Sequence, residues 1–253
     1  MRILLSNDDG VHARGLRALR EALAPLCELW VVAPASQQSA SSHSLTLHTI
    51  LRRHELEERV YAVEGTPADS VLMAINDLMQ AAPPDLVISG INHGPNMGED
   101  VHYSGTVAAA IEAAILGVPA LAVSVAAFRG QIFAGATRFL CELVQRHPER
   151  LTLPGTLLNV NVPNLPPEAI RGVAVTRLGS RFYGDVILRK EDPRGREYFW
   201  IGGEAPTWRE GEDSDFHAVH KRHEISVTPL ALDLTDHAMR GRLAAWAERW
   251  PGA

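Results

Sequence analysis

Residues 1–34 read MRILLSNDDGVHARGLRALREALAPLCELWVVAP, in which two apolar runs flank a segment with a helical period. Arg2–Ser6 predicts a strand that is buried on both faces, and Glu28–Ala33 predicts a second strand closed by Pro34. Four leucines between these runs recur at spacings of three and four: Leu16, Leu19, Leu23 and Leu26. They predict one amphipathic helix. A strand, a helix and a strand in this order indicate a parallel sheet covered by helices.

The same alternation continues to residue 146. Apolar runs predict paired extended segments at Leu45–Arg53 and Val60–Val63, and buried strands at Asp85–Ser89 and Ala120–Val125. Helical periods predict a helix from Pro67, capped by Thr66, to about Gln80, and further helices at Gly105–Leu116 and Phe133–Arg146. The predicted fold class is therefore α/β, a Rossmann-like, three-layer α/β/α arrangement with a mostly parallel sheet.

Beyond Leu157 the pattern changes to short strand-like runs between turns that contain proline and glycine, followed by a last helix at Asp236–Trp250. We interpret residues 1–156 as an α/β core. Residues 157–253 supply the remaining core strands, a β-rich extension and a terminal helix, and we expect both parts to form one structural domain.

Composition excludes several classes of function. A net charge of −6 argues against a general nucleic-acid-binding surface, which needs clustered cations, so we expect a small substrate. No segment has the roughly 20 consecutive apolar residues of a membrane span, and the N-terminal apolar run is too short for a signal peptide. We therefore expect a cytoplasmic protein. The lysines are Lys190 and Lys221, so chemistry that needs an ammonium group in the first two thirds of the chain is excluded.

Candidate functional residues follow the predicted strands, because ligands of open parallel sheets bind at the carboxyl ends of the strands. Asn7-Asp8-Asp9-Gly10 follows the first strand. Two adjacent carboxylates suit a hard divalent cation such as Mg²⁺. An Asx turn that uses Gly10 for its backbone freedom explains the same residues, and the sequence leaves both interpretations open.

Two further loops carry polar side chains. Residues 35–44, ASQQSASSHS, are rich in hydroxyls, which suits either an oxygen ligand shell or a solvated loop. Residues 89–106, SGINHGPNMGEDVHYSGT, hold three evenly spaced glycines and end in Ser104-Gly105-Thr106 at the start of a predicted helix. A helix start with unpaired amides and hydroxyls favours an anion, although Ser104 could equally be an ordinary cap.

Several phosphate chemistries lack their motifs. The chain has no Gly-Lys dipeptide for a Walker A loop and no Gly-x-Ser-x-Gly nucleophile elbow. Phosphatases with a nucleophilic aspartate need Asp-x-Asp and a lysine, whereas this chain has Asp8-Asp9 after its first strand and no lysine nearby.

Four separated motifs resemble the stationary-phase survival protein SurE family: Asn7-Asp8-Asp9-Gly10, Ala33-Pro34 to Ser39, Gly65-Thr66-Pro67-Ala68-Asp69, and Gly90-Ile91-Asn92 through Gly105-Thr106-Val107. The order and spacing extend to Ser226-Val227-Thr228-Pro229-Leu230. The C-terminal half of the match is looser. Members of the family often carry Gly-Thr-Asp before the last strand and Gly-Tyr ahead of its Val-Ser-Val-Thr-Pro-like run, whereas this chain has Glu212-Asp213-Ser214-Asp215 and Arg222-His223-Glu224-Ile225.

The resemblance implies an activity and a set of residues. It implies hydrolysis of nucleoside 5′- and 3′-monophosphates, and of short polyphosphate in some members. One divalent ion per subunit, Mg²⁺ or Mn²⁺, is expected on Asp8, Asp9, Ser39 and Asn92. The phosphate pocket is expected at Gly10, Asn96, Ser104, Gly105 and Thr106. The C-terminal arm is expected to be exchanged in a homodimer or homotetramer.

Our hypothesis for the mechanism is in-line attack by water, with Asp8 or Asp9 orienting that water or accepting its proton. Two alternatives remain open. The same loops could form a non-catalytic, metal-assisted sensor of nucleotide or phosphate, or the enzyme could be primarily an exopolyphosphatase.

Overall fold

The computed structural model describes residues 1–146, 155–182, 186–202, 207–209 and 211–250. Its first unit consists of strand β1 (Arg2–Ser6), helix α1 (Arg14–Leu23) and strand β2 (Glu28–Pro34). The two strands are parallel neighbours, so the predicted strand–helix–strand unit is confirmed. The placement of Leu26 on the helix face is wrong. The helix ends at Leu23, and Leu26 lies in the following turn with 38% of its surface exposed.

The second unit departs from its prediction at one strand. Strands β3 (Arg53–Glu57) and β4 (Val60–Val63) form an antiparallel pair, followed by helix α2 (Pro67–Met73), which continues as a π-helical turn over Ala74–Leu78. The predicted extended segment at Leu45–Arg53 is wrong, because the strand begins only at Arg53. Side-chain bonds from Asp69, rather than a strand ladder, hold the backbone at Thr46.

The third unit contains strand β5 (Leu86–His93), helix α3 (Gly105–Ile115), strand β6 (Ala120–Val125) and helix α4 (Ala134–Gln145). The prediction that β5 ends at Ser89 is wrong. Pairing with β6 shifts register between Ser89 and Asn92, where Gly90 has a φ of +140°, and then resumes. Asn92 is therefore placed by the sheet, opposite Ser124, and not by a free loop.

The C-terminal half is rich in short strands, as predicted. It contains β7 (Thr156–Val162), β8 (Val173–Val175), β9 (Ser180–Phe182), β10 (Val186–Glu191), β11 (Glu197–Gly202), β12 (Thr207–Arg209), a short helix α5 (Asp215–His217), β13 (Ile225–Ala231) and helix α6 (His237–Ala247). Strands β10 and β11 form a hairpin, and β9 pairs with β12.

One sheet of nine strands joins both halves, in the order β3-β4-β2-β1-β5-β6-β7-β13-β8. Its central pairs, from β4 to β7, are parallel, which confirms a mostly parallel sheet. Because β7, β8 and β13 extend the sheet that β1 begins, we propose that residues 1–156 and 157–253 form one structural domain.

Helices cover both faces of this sheet and produce two apolar clusters. Ile3 and Leu5 of β1 face α1 and α4, whereas Leu4 faces α2 and α3. All three β1 side chains are fully buried, and burial of a leucine or isoleucine stabilises a fold by roughly 1.5–3 kcal/mol. The predicted three layers are therefore confirmed, with β1 in the interior of the middle layer.

The strand order also selects the edge where a site can form. The chain leaves β1 toward β2 on one side and later returns to β5 on the other side. This reversal opens a crevice beyond the carboxyl end of β1, between the loops that follow β1, β2 and β5.

Two segments of the C-terminal half expose apolar side chains. Helix α6 buries none of its residues, although Met239, Leu243 and Trp246 share one face. The hairpin of β10 and β11 likewise exposes Trp200 and Ile201. No helix in the described ranges is both long enough and apolar enough to cross a membrane.

Candidate active site

The turn after β1 carries two neighbouring carboxylates into the crevice. The Asn7 amide donates to the carbonyl of Gly10 at 3.0 Å, and Gly10 has a φ of +98°, a conformation that favours glycine. The predicted Asx turn is wrong, because Asn7 donates through its amide and its Oδ1 accepts no backbone N–H in the described part of the chain. The turn that this amide closes carries Asp8 and Asp9 between Asn7 and Gly10. Asn7 Oδ1 is buried and has no hydrogen-bond partner among the described residues.

Asp8 is the more buried of the two acids, with 5% of its surface exposed. The hydroxyl of Thr106 donates to Asp8 Oδ1. Burial, opposed by this hydrogen bond and assisted by the charge of Asp9, raises the pKa of Asp8 to about 6. The fold therefore holds a carboxylate whose charge it does not fully compensate.

Asp9 connects the first turn to the end of β5. The backbone N–H of His93 donates to Asp9 Oδ2 at 3.2 Å, and His93 Nδ1 lies 3.5 Å from the same oxygen. The next residue back, Asn92, uses its amide to donate to the carbonyl of Gly94 at 2.9 Å. Asn92 therefore directly precedes His93, the residue that contacts Asp9.

The hydroxyl-rich loop after β2 is bound to the same centre. The backbone N–H of Gln38 donates to the carbonyl of Asp8 at 2.7 Å. Ser39 is exposed, and its hydroxyl accepts from the Gln37 amide at 2.8 Å. The hydroxyl of Ser42 donates to the carbonyl of His102 at 2.7 Å, so this loop also touches the loop after β5.

The Gly65–Asp69 motif has a structural function that the sequence showed only in part. Thr66 caps α2 as predicted, and Asp69 completes a capping box. The buried Asp69 carboxylate also accepts from the backbone N–H of Thr46 at 3.0 Å and from its hydroxyl at 2.6 Å. The Thr66 hydroxyl donates to the carbonyl of Ser44 at 2.8 Å. The motif therefore anchors the end of the hydroxyl-rich loop.

The start of α3 lies directly against the acidic pair. Ser104 caps the helix, because its hydroxyl accepts from the N–H of Val107 at 3.1 Å. A Cβ on Gly105 would lie 2.7 Å from Asp8 Cβ and 2.9 Å from the Ser41 hydroxyl, so only glycine fits. The first amides of a helix have no partner within the helix, and here they begin beside Asp8.

Asn96 belongs to a buried polar network. Its backbone N–H donates to Asn161 Oδ1 at 2.8 Å, and its side-chain amide donates to the Ser124 hydroxyl at 2.8 Å. Its carbonyl accepts from the amides of Asn159 and Asn161 at 2.8 and 2.9 Å. The contacts of Asn96 in the structure are thus to β6 and β7, and they fix the middle of the loop after β5.

Asp215 is a residue at this site that the sequence analysis missed. It is fully buried, and its carboxylate accepts from the backbone N–H groups of Gly98, Gly179 and Phe216 at 2.9, 2.8 and 2.7 Å. Burial, opposed by these bonds, raises its pKa. The Ser-Asp pair after a turn is an N-cap signature that could have pointed to it, but its partners are distant in sequence.

Among the predicted residues, Thr106 bonds to Asp8, and Gly105 lies against it. Ser39 and Asn92 are only the sequence neighbours of Gln38 and His93, whose backbone N–H groups bond to Asp8 and Asp9. Within the described ranges, the side chains of Ser39 and Asn92 form no hydrogen bond with either aspartate. Their roles as ligands remain predictions.

A family model, curated relatives and a solved structure all place this chain with the same protein family. Residues 3–185 match the family described as Survival protein SurE. The chain is 52% identical over 247 residues to a 5′-nucleotidase SurE of Anaeromyxobacter sp. (strain Fw109-5), covering 97% of this chain and 96% of that protein. It is 50% identical over 246 residues to a 5′-nucleotidase SurE of Myxococcus xanthus (strain DK1622), covering 97% and 93%. The crystal structure of the SurE protein from Aquifex aeolicus superposes with a TM-score of 0.87 at 40% identity, covering 98% and 100%.

The raised pKa of Asp8 predicts a pH-dependent stability of the metal-free protein. Between the ordinary carboxyl pKa and about 6, the folded state binds more protons than the unfolded state, so stability falls as pH rises through this window. Asp8→Asn removes the ionisation and keeps an acceptor for Thr106. We expect Asp8→Asn to be more stable than the unchanged chain at pH 8, by about 3 kcal/mol at most, and equal near pH 4.

Urea unfolding with chelator at several pH values measures this difference. Asp213→Asn is the control, because Asp213 is exposed and its pKa is lowered by a hydrogen bond from Arg177. Asp213→Asn should be no more stable than the unchanged chain at pH 8. A destabilised Asp8→Asn variant at pH 8 would contradict the assignment.

Asp215→Asn should weaken the anchoring of the loop after β5. The new amide group would face a backbone N–H, so at least one of three hydrogen bonds is lost in a fully buried place. We expect a loss of about 1–3 kcal/mol in the free energy of unfolding, with faster hydrogen exchange at Gly98. Asp213→Asn, two residues away and exposed, should stay within about 0.5 kcal/mol. Equal effects of the two variants would refute this role.

Proposed function

The chain belongs to the survival protein SurE family, and from this premise we propose that it is a 5′-nucleotidase, a hydrolase of phosphoric monoesters that acts on small nucleotides. Full-length relatives at about half identity carry that name. The observation that supports the proposal most is the linkage of three loops through two acids, Asp8 to Gln38 and Thr106, and Asp9 to His93.

The residues at this edge fit a hard divalent cation. In the described part of the chain, neither Asp8 nor Asp9 forms an ion pair with arginine or lysine, so their charge is free for a ligand. In that part of the chain, no group of three or more His, Cys, Asp or Glu could hold an ion, so amide, hydroxyl, carbonyl or water oxygens would complete the ligand shell. Asp8, Asp9, Ser39 and Asn92 would hold one Mg²⁺ or Mn²⁺ per subunit. When bound, the ion would stabilise charge on the phosphoryl oxygens and make water a better nucleophile.

The phosphate would lie against the start of α3. The backbone N–H groups of Gly105 and Thr106 would donate to phosphate oxygens, with the helix dipole favouring the negative charge. The Thr106 hydroxyl already donates to Asp8, so this residue would contribute its amide instead. Ser104 accepts through its oxygen and keeps its own hydrogen to donate.

Asn96 and Gly10 complete the proposed pocket. Asn96 uses one amide hydrogen on Ser124, which leaves the second for phosphate. Gly10 would offer its backbone at the opposite side of the acidic turn. Water would then attack phosphorus in line with the nucleoside oxygen, with Asp8 or Asp9 orienting that water or accepting its proton.

The proposal includes finer points that rest on the family resemblance. We include nucleoside 3′-monophosphates and short polyphosphate as substrates, because the proposed pocket would contact only a terminal phosphate. The net charge of −6 supports a small-molecule substrate over nucleic acid. We propose a cytoplasmic location.

Asp9→Asn tests the acidic pair. We expect turnover of a nucleoside 5′-monophosphate with Mg²⁺ or Mn²⁺ to fall about 100-fold or more, because a charged oxygen beside the reacting phosphate is lost. Phosphate release from a panel of 5′- and 3′-monophosphates and short polyphosphate, with and without chelator, measures this. Asp77→Asn, an exposed acid paired with Arg53, is the control and should retain full activity. Unchanged metal-dependent turnover by Asp9→Asn would refute the assignment.

We also propose that the protein is a homodimer or homotetramer. An isolated helix of 11 residues is marginal in water, and α6 buries no residue against its own chain. The apolar face of Met239, Leu243 and Trp246 therefore suits a second copy, as does the exposed face of the β10–β11 hairpin.

Leu243→Glu tests the contribution of α6. Light scattering after size exclusion should show an oligomer for the unchanged chain and a smaller species for Leu243→Glu, because a charge would enter an apolar contact. Arg242→Ala, next to it on α6, should leave the mass unchanged. A monomeric unchanged chain would exclude the proposal.

A further inference from the structure

The loop that follows β6 brings the exposed ring of Phe128 to the candidate site, in addition to Tyr103 of the loop after β5. Phe128 is 72% exposed, and its ring lies on Gly94, two residues after Asn92. A Cβ on Gly94 would lie 2.5 Å from Phe128 Cε1 and 2.7 Å from Cδ1, so the ring contacts the backbone where only glycine leaves room. In the part of the chain that the structure describes, this ring stacks on no other aromatic ring.

The backbone beneath this ring is tied to the site. The N–H of Gly94 donates to the carbonyl of Val125 at 3.1 Å, and its carbonyl accepts from the amide of Asn92 at 2.9 Å. The ring is thus connected to the peptide that carries His93, whose N–H contacts Asp9.

The loop that carries the ring is also held in place. The Gln131 amide donates to the carbonyl of Ala127 at 3.2 Å, and Asn164 bonds to both Gly130 and Ile132, at 3.2 and 2.7 Å. An exposed phenyl ring on an anchored loop is a preorganised surface, which lowers the entropy cost of binding a flat ligand.

We propose that Phe128 is the platform on which the nucleobase of the substrate stacks. This inference rests on the proposed function, because it assigns the end of the ligand distant from the phosphate. Every nucleobase has an aromatic face, so stacking supports binding without a specific base, and an apolar ring with an open face suits this contact. With the phosphate beside the acidic pair, the sugar would extend toward Gly94, and the base would lie on the Phe128 ring.

The test compares two substrates that differ only in the base, a nucleoside 5′-monophosphate and ribose 5-phosphate. We expect Phe128→Ala to raise KM for the nucleotide about tenfold, with kcat unchanged, and to leave KM for ribose 5-phosphate within about twofold. Phe128→Trp, which keeps an aromatic ring at this position, should have the same KM for the nucleotide as the unchanged chain. Val175→Ala, at an exposed apolar residue of strand β8, is the control and should change neither KM.

Other outcomes would overturn the inference. Tyr103, in the loop after β5, is also exposed, and a base-selective loss in Tyr103→Ala but not in Phe128→Ala would assign the platform to Tyr103. An equal rise of KM for both substrates in Phe128→Ala would indicate a general effect on the loop. If the unchanged chain hydrolyses nucleotides but Phe128→Ala has no effect, only this inference fails. If the unchanged chain hydrolyses no nucleotide, the proposed function fails as well.

Discussion

The site depends on the burial of one ionisable side chain, Asp8, in the turn after the interior strand β1. Moving a carboxylate out of water is costly unless bonds replace the solvent, and burial raises the pKa of Asp8 to about 6 despite the hydrogen bond from Thr106. The loops after β2 and β5 nevertheless close on it, through the Gln38 amide and the Thr106 hydroxyl. Such an arrangement is typical of a functional site, where charge is held for a ligand rather than for stability.

The C-terminal half holds the loop after β5 in place. Asn159 and Asn161 of β7 bond to Asn96, and Asp215 bonds to Gly98 through a carboxylate shielded from solvent. Glu99 is held in the same way by the backbone N–H of Arg181. The β-rich half is therefore part of the site's support, since the loop that it anchors leads into the start of α3.

Local pattern predicted most elements, because a strand buried on both faces, such as β1, is a continuous apolar run, and a helix that buries one face, such as α1, has a helical period. It failed where long-range contacts decide the backbone. Leu47 and Ile50 look like strand residues, yet they are exposed, and the side-chain bonds from Asp69 hold the backbone just before them, at Thr46. Strand β5 was predicted too short, since Gly90 looks like the end of a strand whereas pairing with β6 resumes beyond it.

The sequence by itself determined the α/β class, the family resemblance and the acidic turn, because these depend on local period and on residues adjacent in the chain. It also determined that the hydroxyl-rich loop and the start of α3 lie at one sheet edge. Only the tertiary structure decided which atoms meet: Thr106 with Asp8, His93 with Asp9, Asp215 with Gly98, and Phe128 with Gly94. The physical reason is that hydrogen bonds and ring contacts between distant residues depend on strand order and register, which no local pattern encodes.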